Sequence, residues 1–129
     1  MDLSALAEIP AVRAELTLLP NLEHPRWPNR GRYMPHIVIG DPAQREALVS
    51  ANNTISEHYL GVWVKEAPDE LVPGQSCDVM MVLMYWPDEK YEDVAAGATF
   101  TLREGPKIVG FGRIVTNATP VQISTLKRT

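Results

Sequence analysis

Phe100-Thr101-Leu102-Arg103-Glu104-Gly105-Pro106-Lys107-Ile108-Val109-Gly110-Phe111-Gly112-Arg113-Ile114-Val115 is the stretch that decides the fold. Two runs rich in aromatic and β-branched residues, 100–103 and 108–115, flank the turn signal Glu104-Gly105-Pro106, so the segment reads as a β-hairpin. Gly110 and Gly112 are expected on one face with Ile108 and Ile114. Glycines there remove side chains and let a sheet coil tightly, as a small barrel requires.

Working outward, residues 76–86 form the strongest strand pattern in the chain. Cys77, Val79, Met81, Leu83 and Tyr85 fall on one face; Met80, Val82, Met84 and Trp86 fall on the other. Both faces are apolar, so the strand is either central or covered on its outer side by another element or a partner. Residues 59–64 and 34–39 also read as strands. Over 12–18, Val12, Ala14, Leu16 and Leu18 alternate with Arg13, Glu15 and Thr17, the pattern of a half-buried strand. Prolines and glycines make 20–31 a long loop and 68–74 a turn-rich connection, and 88–93 is an acidic loop. Asp41 is suited to cap a short helix over 42–51, with Pro42 at its first position and Gln44 to Leu48 as helix formers. Ser4 is suited to cap a helical turn that Pro10 ends. Residues 117–129 are polar and weakly patterned, a tail or an extra edge strand.

This gives six strands, predominantly antiparallel, and no repeats. Such a chain closes into a barrel or packs as a sandwich; the barrel hides its edges. The expected organisation is an extension over 1–10, a barrel over 11–116 with an insertion at 41–57, and a tail over 117–129.

The bulk properties agree with one ordinary domain. A chain of 129 residues buries roughly two-thirds of the surface that its unfolded form exposes, so it folds without a disulfide or metal. Hydrophobic residues make up 45% and charged residues 22%, which argues against general disorder. The net charge of −4 lacks the basic excess of a protein that grips phosphates, and favours a basic partner or simple solubility. Cys77 is the single cysteine, so no intrachain disulfide forms. Met1-Asp2-Leu3-Ser4 shows no basic leader, and no stretch approaches the ~20 apolar residues of a membrane span. The simplest expectation is a cytoplasmic protein with no membrane partner, in which the sequons Asn52-Asn53-Thr54 and Asn117-Ala118-Thr119 carry no glycan.

In its Arg103-Glu104-Gly105 turn and its Val109, Gly110 and Gly112 spacing, the 100–115 hairpin resembles the closing hairpin of the C-terminal barrel domain of translation elongation factor Tu. Upstream, Pro73-Gly74-Gln75-Ser76, Arg13-Ala14-Glu15-Leu16, Gly31-Arg32-Tyr33-Met34-Pro35 and Gly61 are similar to that family's strand entries, in the right order. The resemblance covers about residues 11–116. It implies an all-β, closed, antiparallel six-stranded barrel, here with a short helical insertion. The family's GTPase domain and middle barrel have no counterpart, and no Gly-x-x-x-x-Gly-Lys-Ser/Thr loop exists, so neither nucleotide binding nor hydrolysis is expected. Pro106 stands where the family has a second glycine, and His24-Pro25-Arg26-Trp27-Pro28 replaces its Arg-His-Thr-Pro segment. In the family those segments touch the transfer RNA T-arm.

Among candidate residues, Arg103 and Glu104 read either as a functional pair on the barrel rim or as a pair that fixes the hairpin; Lys107 lies beside them. Arg26, Trp27, Arg30 and Arg32 form a basic-aromatic cluster. That composition suits base stacking with phosphate contact, a protein interface, or a loop pinned by Trp27. Met80, Met84 and Trp86 form either a covered outer face or a docking patch. Cys77 reads as a structural thiol, and His24, His36 and His58 show no metal-ligand spacing. No nucleophile, base and oxyanion site assembles. The expectation is therefore a non-enzyme without cofactor or metal that binds a protein, as a decoy or immunity-type protein does. The alternative is an RNA- or ribosome-associated module retaining part of the transfer RNA-binding surface.

Overall fold

The computed structural model describes residues 7–20, 33–49, 57–68, 72–86 and 91–123. Seven strands are present: β1 (Ala7–Leu18), β2 (His36–Ile39), β3 (Leu60–Glu66), β4 (Cys77–Leu83), β5 (Thr99–Glu104), β6 (Lys107–Ile114) and β7 (Thr119–Ile123). The order β4-β3-β2-β5-β6-β1 closes through an additional β4–β1 pairing, so six antiparallel strands form a barrel. β7 adds to β1 beyond the closure. The 117–129 region thus contributes an edge strand.

Alternation explains the interior. Val12, Ala14, Leu16 and Leu18 of β1 face Val79, Met81 and Leu83 of β4, with Val62, Val64, Ile37, Phe100, Leu102 and Ile114 completing the core. Each strand presents every second residue inward, so one barrel wall needs only that period. At about 25 cal/mol per Å² of buried apolar surface, each fully buried Leu, Ile or Phe contributes roughly 1.5–3 kcal/mol.

The coiling comes from two glycines and two bulges. A Cβ on Gly110 would stand 2.7 Å from the Thr17 carbonyl oxygen, and one on Gly112 would overlap the Glu15 carbonyl oxygen. The missing side chains let β6 approach the β1 backbone closely. Register shifts leave Lys65 and Val109 as extra residues in β3 and β6. The second bulge alters the expected face. Gly110, Gly112 and Ile114 keep their phase, but Val109, rather than Ile108, joins the core.

Glu104 and Lys107 pair across the two-residue loop Gly105-Pro106. Gly105 has φ +60°, which the first position of a tight hairpin turn demands.

β1 starts earlier than its alternation suggests, so Pro10 lies inside a strand instead of ending a helical turn; residues 1–6 lie outside the described structure. Pro10 stands opposite Pro120. Neither has an N–H, so neither can donate across the ladder; the missing donors fall on the outer edges of the β1–β7 ribbon. Proline at both edges discourages a further strand from adding there.

The expected helix at 42–51 does not form in its described part, 41–49, which makes turns; 50–56 lie outside the described residues. Local side chains compete with the helical ladder. Ala43 N–H donates to Asp41 Oδ1 at 2.8 Å, and the Arg45 guanidinium donates to the Pro42 and Gln44 carbonyls.

Candidate functional site

Two regions outside the barrel core carry chemistry. The first is a buried polar node on the outer face of β2 and β5. Leu102 points inward, so Arg103 must point outward, yet its side chain is 0% exposed. Glu57 closes over it: guanidinium to carboxylate distances are 2.8 and 3.1 Å, a bidentate pair. Arg103 also donates to the Thr101 hydroxyl and the Tyr59 hydroxyl, each at 2.8 Å. Glu57 further accepts from the Gln44 amide and the Leu48 N–H. The Arg103 hydrogen bonds, followed by those from Gln44 and Leu48, hold the Glu57 carboxyl down at about 2 against the opposing effect of burial. Tyr59 lies under the guanidinium and against the His36 ring. The node therefore fastens Gln44, Leu48 and Glu57 to the barrel wall.

The second region is the outer wall of β1, β3 and β4. Val82 and Ala11 are buried there, with Ile9, Trp63 and Met80 packed against them. Trp63 pairs with Val82, and the Tyr33–Val64 bridge brings Met34 beside Trp63. Met34 is 54% exposed, Tyr85 53% and Trp86 48%.

Why Tyr85 lies here is clear from the backbone. β4 ends at Leu83, and a turn follows in which the Trp86 N–H donates to the Leu83 carbonyl at 3.2 Å. The turn takes Tyr85 off the core face and lays its ring on Gly61, where a Cβ would overlap it. Tyr91 fixes this turn. Its buried hydroxyl accepts from the Tyr85 N–H at 2.9 Å and donates to the Gly61 carbonyl at 2.8 Å.

The remaining candidates are scattered. Arg103 and Glu104 point to opposite faces and do not pair with each other. The Tyr33 hydroxyl donates to Glu104, and burial, reinforced by that carboxylate, raises the Tyr33 pKa. Lys107 is exposed at the hairpin tip. Arg26, Trp27, Arg30 and Arg32 lie outside the described residues, in the segment that re-enters the structure at Tyr33. Met80 and Met84 are half-buried. Cys77 packs against the core, and burial pushes its thiol pKa up, with Asp78 adding to the shift. Sequence reading missed Glu57, which has no local signal. It also missed Met34, whose exposure follows from its place after the bridge. Trp63 was detectable as a large apolar residue on the outward phase of its strand.

No protein-family model matches this chain, and no curated protein matches it.

Proposed function

We propose that this chain is a non-enzymatic protein-interaction module, similar to the C-terminal barrel of elongation factor Tu but acting without a GTPase domain. The observation that carries this reading is the outer wall on β1, β3 and β4, with Met34 just before β2. A closed barrel already buries its own core, so Met34, Tyr85 and Trp86, each about half exposed, leave apolar surface that the barrel does not cover. Trp, Tyr and Met are the residues enriched at the centres of protein interfaces. Occupying a partner's surface without chemistry is how a decoy or immunity-type protein acts, and a barrel alone can do that. The segment carrying Arg26, Trp27, Arg30 and Arg32 joins this wall in sequence at Tyr33 and is assigned to the same interface; Glu104 and Lys107 are exposed at the hairpin end of β5 and β6.

The test is affinity capture from host lysate with and without ribonuclease, comparing wild type with Trp86→Ala and Trp27→Ala. A defined protein retained after ribonuclease and lost with either substitution supports the reading. Capture that disappears with ribonuclease replaces it with an RNA- or ribosome-associated role. Capture that neither substitution alters removes the wall from the interface.

A further inference from the structure

The 41–49 segment, the end of β2, residues 57–60 and the turn at 91–94 enclose an open cleft of about 330 Å³. Val38, Leu48 and Leu60 line it with apolar groups, and Glu57, His58 and Asp93 with ionisable ones. The two carboxylates are not equivalent. Arg103 neutralises Glu57, whereas Asp93 makes no ion pair among the described residues.

We infer that this cleft receives the cationic side chain, arginine or lysine, of a protein partner docked on the wall; the inference rests on the interaction reading above. An aliphatic stem along apolar groups with a charged tip at a carboxylate is the arrangement that long basic side chains adopt. The volume lies at the lower end of the range for small-ligand pockets, ample for one side chain. Charge complementarity selects the sign: with Glu57 neutralised by Arg103, an anionic group entering the cleft would meet the Asp93 carboxylate, whereas a cationic one would pair with it. The cleft and the wall are neighbours along the chain. Leu60 of the cleft precedes Gly61, on which Tyr85 lies, and the 91–94 turn carries both Asp93 and the Tyr91 that fixes Tyr85.

The experiment is a titration of the isotope-labelled full chain, followed by amide NMR, with the capped peptide Gly-Ala-Arg-Ala-Gly and its citrulline counterpart, which has the same shape without the charge. The expected result is saturable shifts at Gly40, Leu60 and Asp93 with the arginine peptide only. Asp93→Asn is expected to weaken binding about threefold to fivefold, the effect of one exposed charge pair, while its spectrum shows the same fold. Equal shifts from the citrulline peptide, no shifts from either, or binding unchanged in Asp93→Asn would overturn the assignment. The two readings separate through Trp86→Ala, which is expected to keep the peptide shifts while losing the captured protein. Peptide binding without any Trp86-dependent capture would remove the interaction reading and leave the cleft's preference standing.

Discussion

Arg103 and Glu57 form a bidentate ion pair in which the side chains are 0% and 6% exposed, although Arg103 sits on the outer side of the barrel. The pair is what ties Glu57, and through it Gln44 and Leu48, to the barrel wall. A strand presents a charge outward at no cost while water covers it. Once the chain closes over that charge, only a matching carboxylate keeps the arrangement stable.

Glu57→Gln leaves the guanidinium buried opposite a neutral amide. The expected loss is about 3–5 kcal/mol in urea unfolding, as when one partner of a buried pair is removed. Replacing both residues, Glu57→Leu with Arg103→Met, is expected to cost less than the single change. A loss below about 1 kcal/mol, the value of an exposed pair, would show that water reaches the node.

Acid titration tests the same pair independently. The folded-state pKa of Glu57, about 2, lies below its ordinary value of 4.5. Its contribution is therefore complete above pH ~4.5 and is lost as pH falls towards ~2. In Arg103→Met this part of the acid dependence should shrink, because the principal cause of the lowered pKa has gone. Stability curves of the two proteins that run parallel across that window would contradict the assignment.

Two glycines are expected to respond differently to alanine. In Gly112→Ala the new methyl meets the Glu15 carbonyl oxygen and a Phe100 ring carbon at 2.6 Å, both held by the barrel. The strain of overpacking a rigid site predicts a loss of about 1–3 kcal/mol or more. Gly105 has open space around it but a φ of +60°. Gly105→Ala should cost only the left-handed backbone penalty, about 1–2 kcal/mol. Thermal unfolding of both variants gives the comparison; a larger effect at Gly105 would mean that the turn, not the β1–β6 approach, limits the fold.

How much of this the sequence made legible follows from the range of the interactions. Alternation revealed the inward faces of β1 and β4 and the closing hairpin, because a period of two is a local signal. Gly110 and Gly112 pointed to tight coiling for the same reason. Arg103 looked like a rim residue, since its burial depends on Glu57, 46 residues away. The helix expected at 42–51 followed from propensity, yet the side chains of Asp41 and Arg45 bond to nearby backbone instead. Tyr85 continued the alternation of β4 on paper. The turn after Leu83, held by Tyr91, placed it outside, and nothing in the spacing of 85 and 91 announces that contact.

Tyr91→Phe isolates that contact. The missing hydroxyl leaves the Tyr85 N–H without its partner and the Gly61 carbonyl with one hydrogen bond fewer. The expected cost is about 1–3 kcal/mol. Amide exchange at Tyr85 should accelerate while exchange in β1 stays slow. Uniform acceleration would instead mean that Tyr91 acts on the whole barrel.

Trp86→Ala distinguishes a docking surface from a packing surface. Trp86 is half-exposed and lies beyond the last residue of β4, so its removal should change stability by no more than about 0.5 kcal/mol. Trp63→Ala is the contrast. That ring packs against Val82 and Ala11, and its loss is expected to cost stability as well as binding. If the wall is an interface, Trp86→Ala should lower affinity for the captured protein by about 2 kcal/mol or more, roughly thirtyfold, as at an aromatic hot spot. Calorimetric unfolding and a binding titration on the same preparation decide the matter. A protein that loses stability but keeps its affinity has used Trp86 for its own fold, and the interface must then be sought at the segment that carries Trp27.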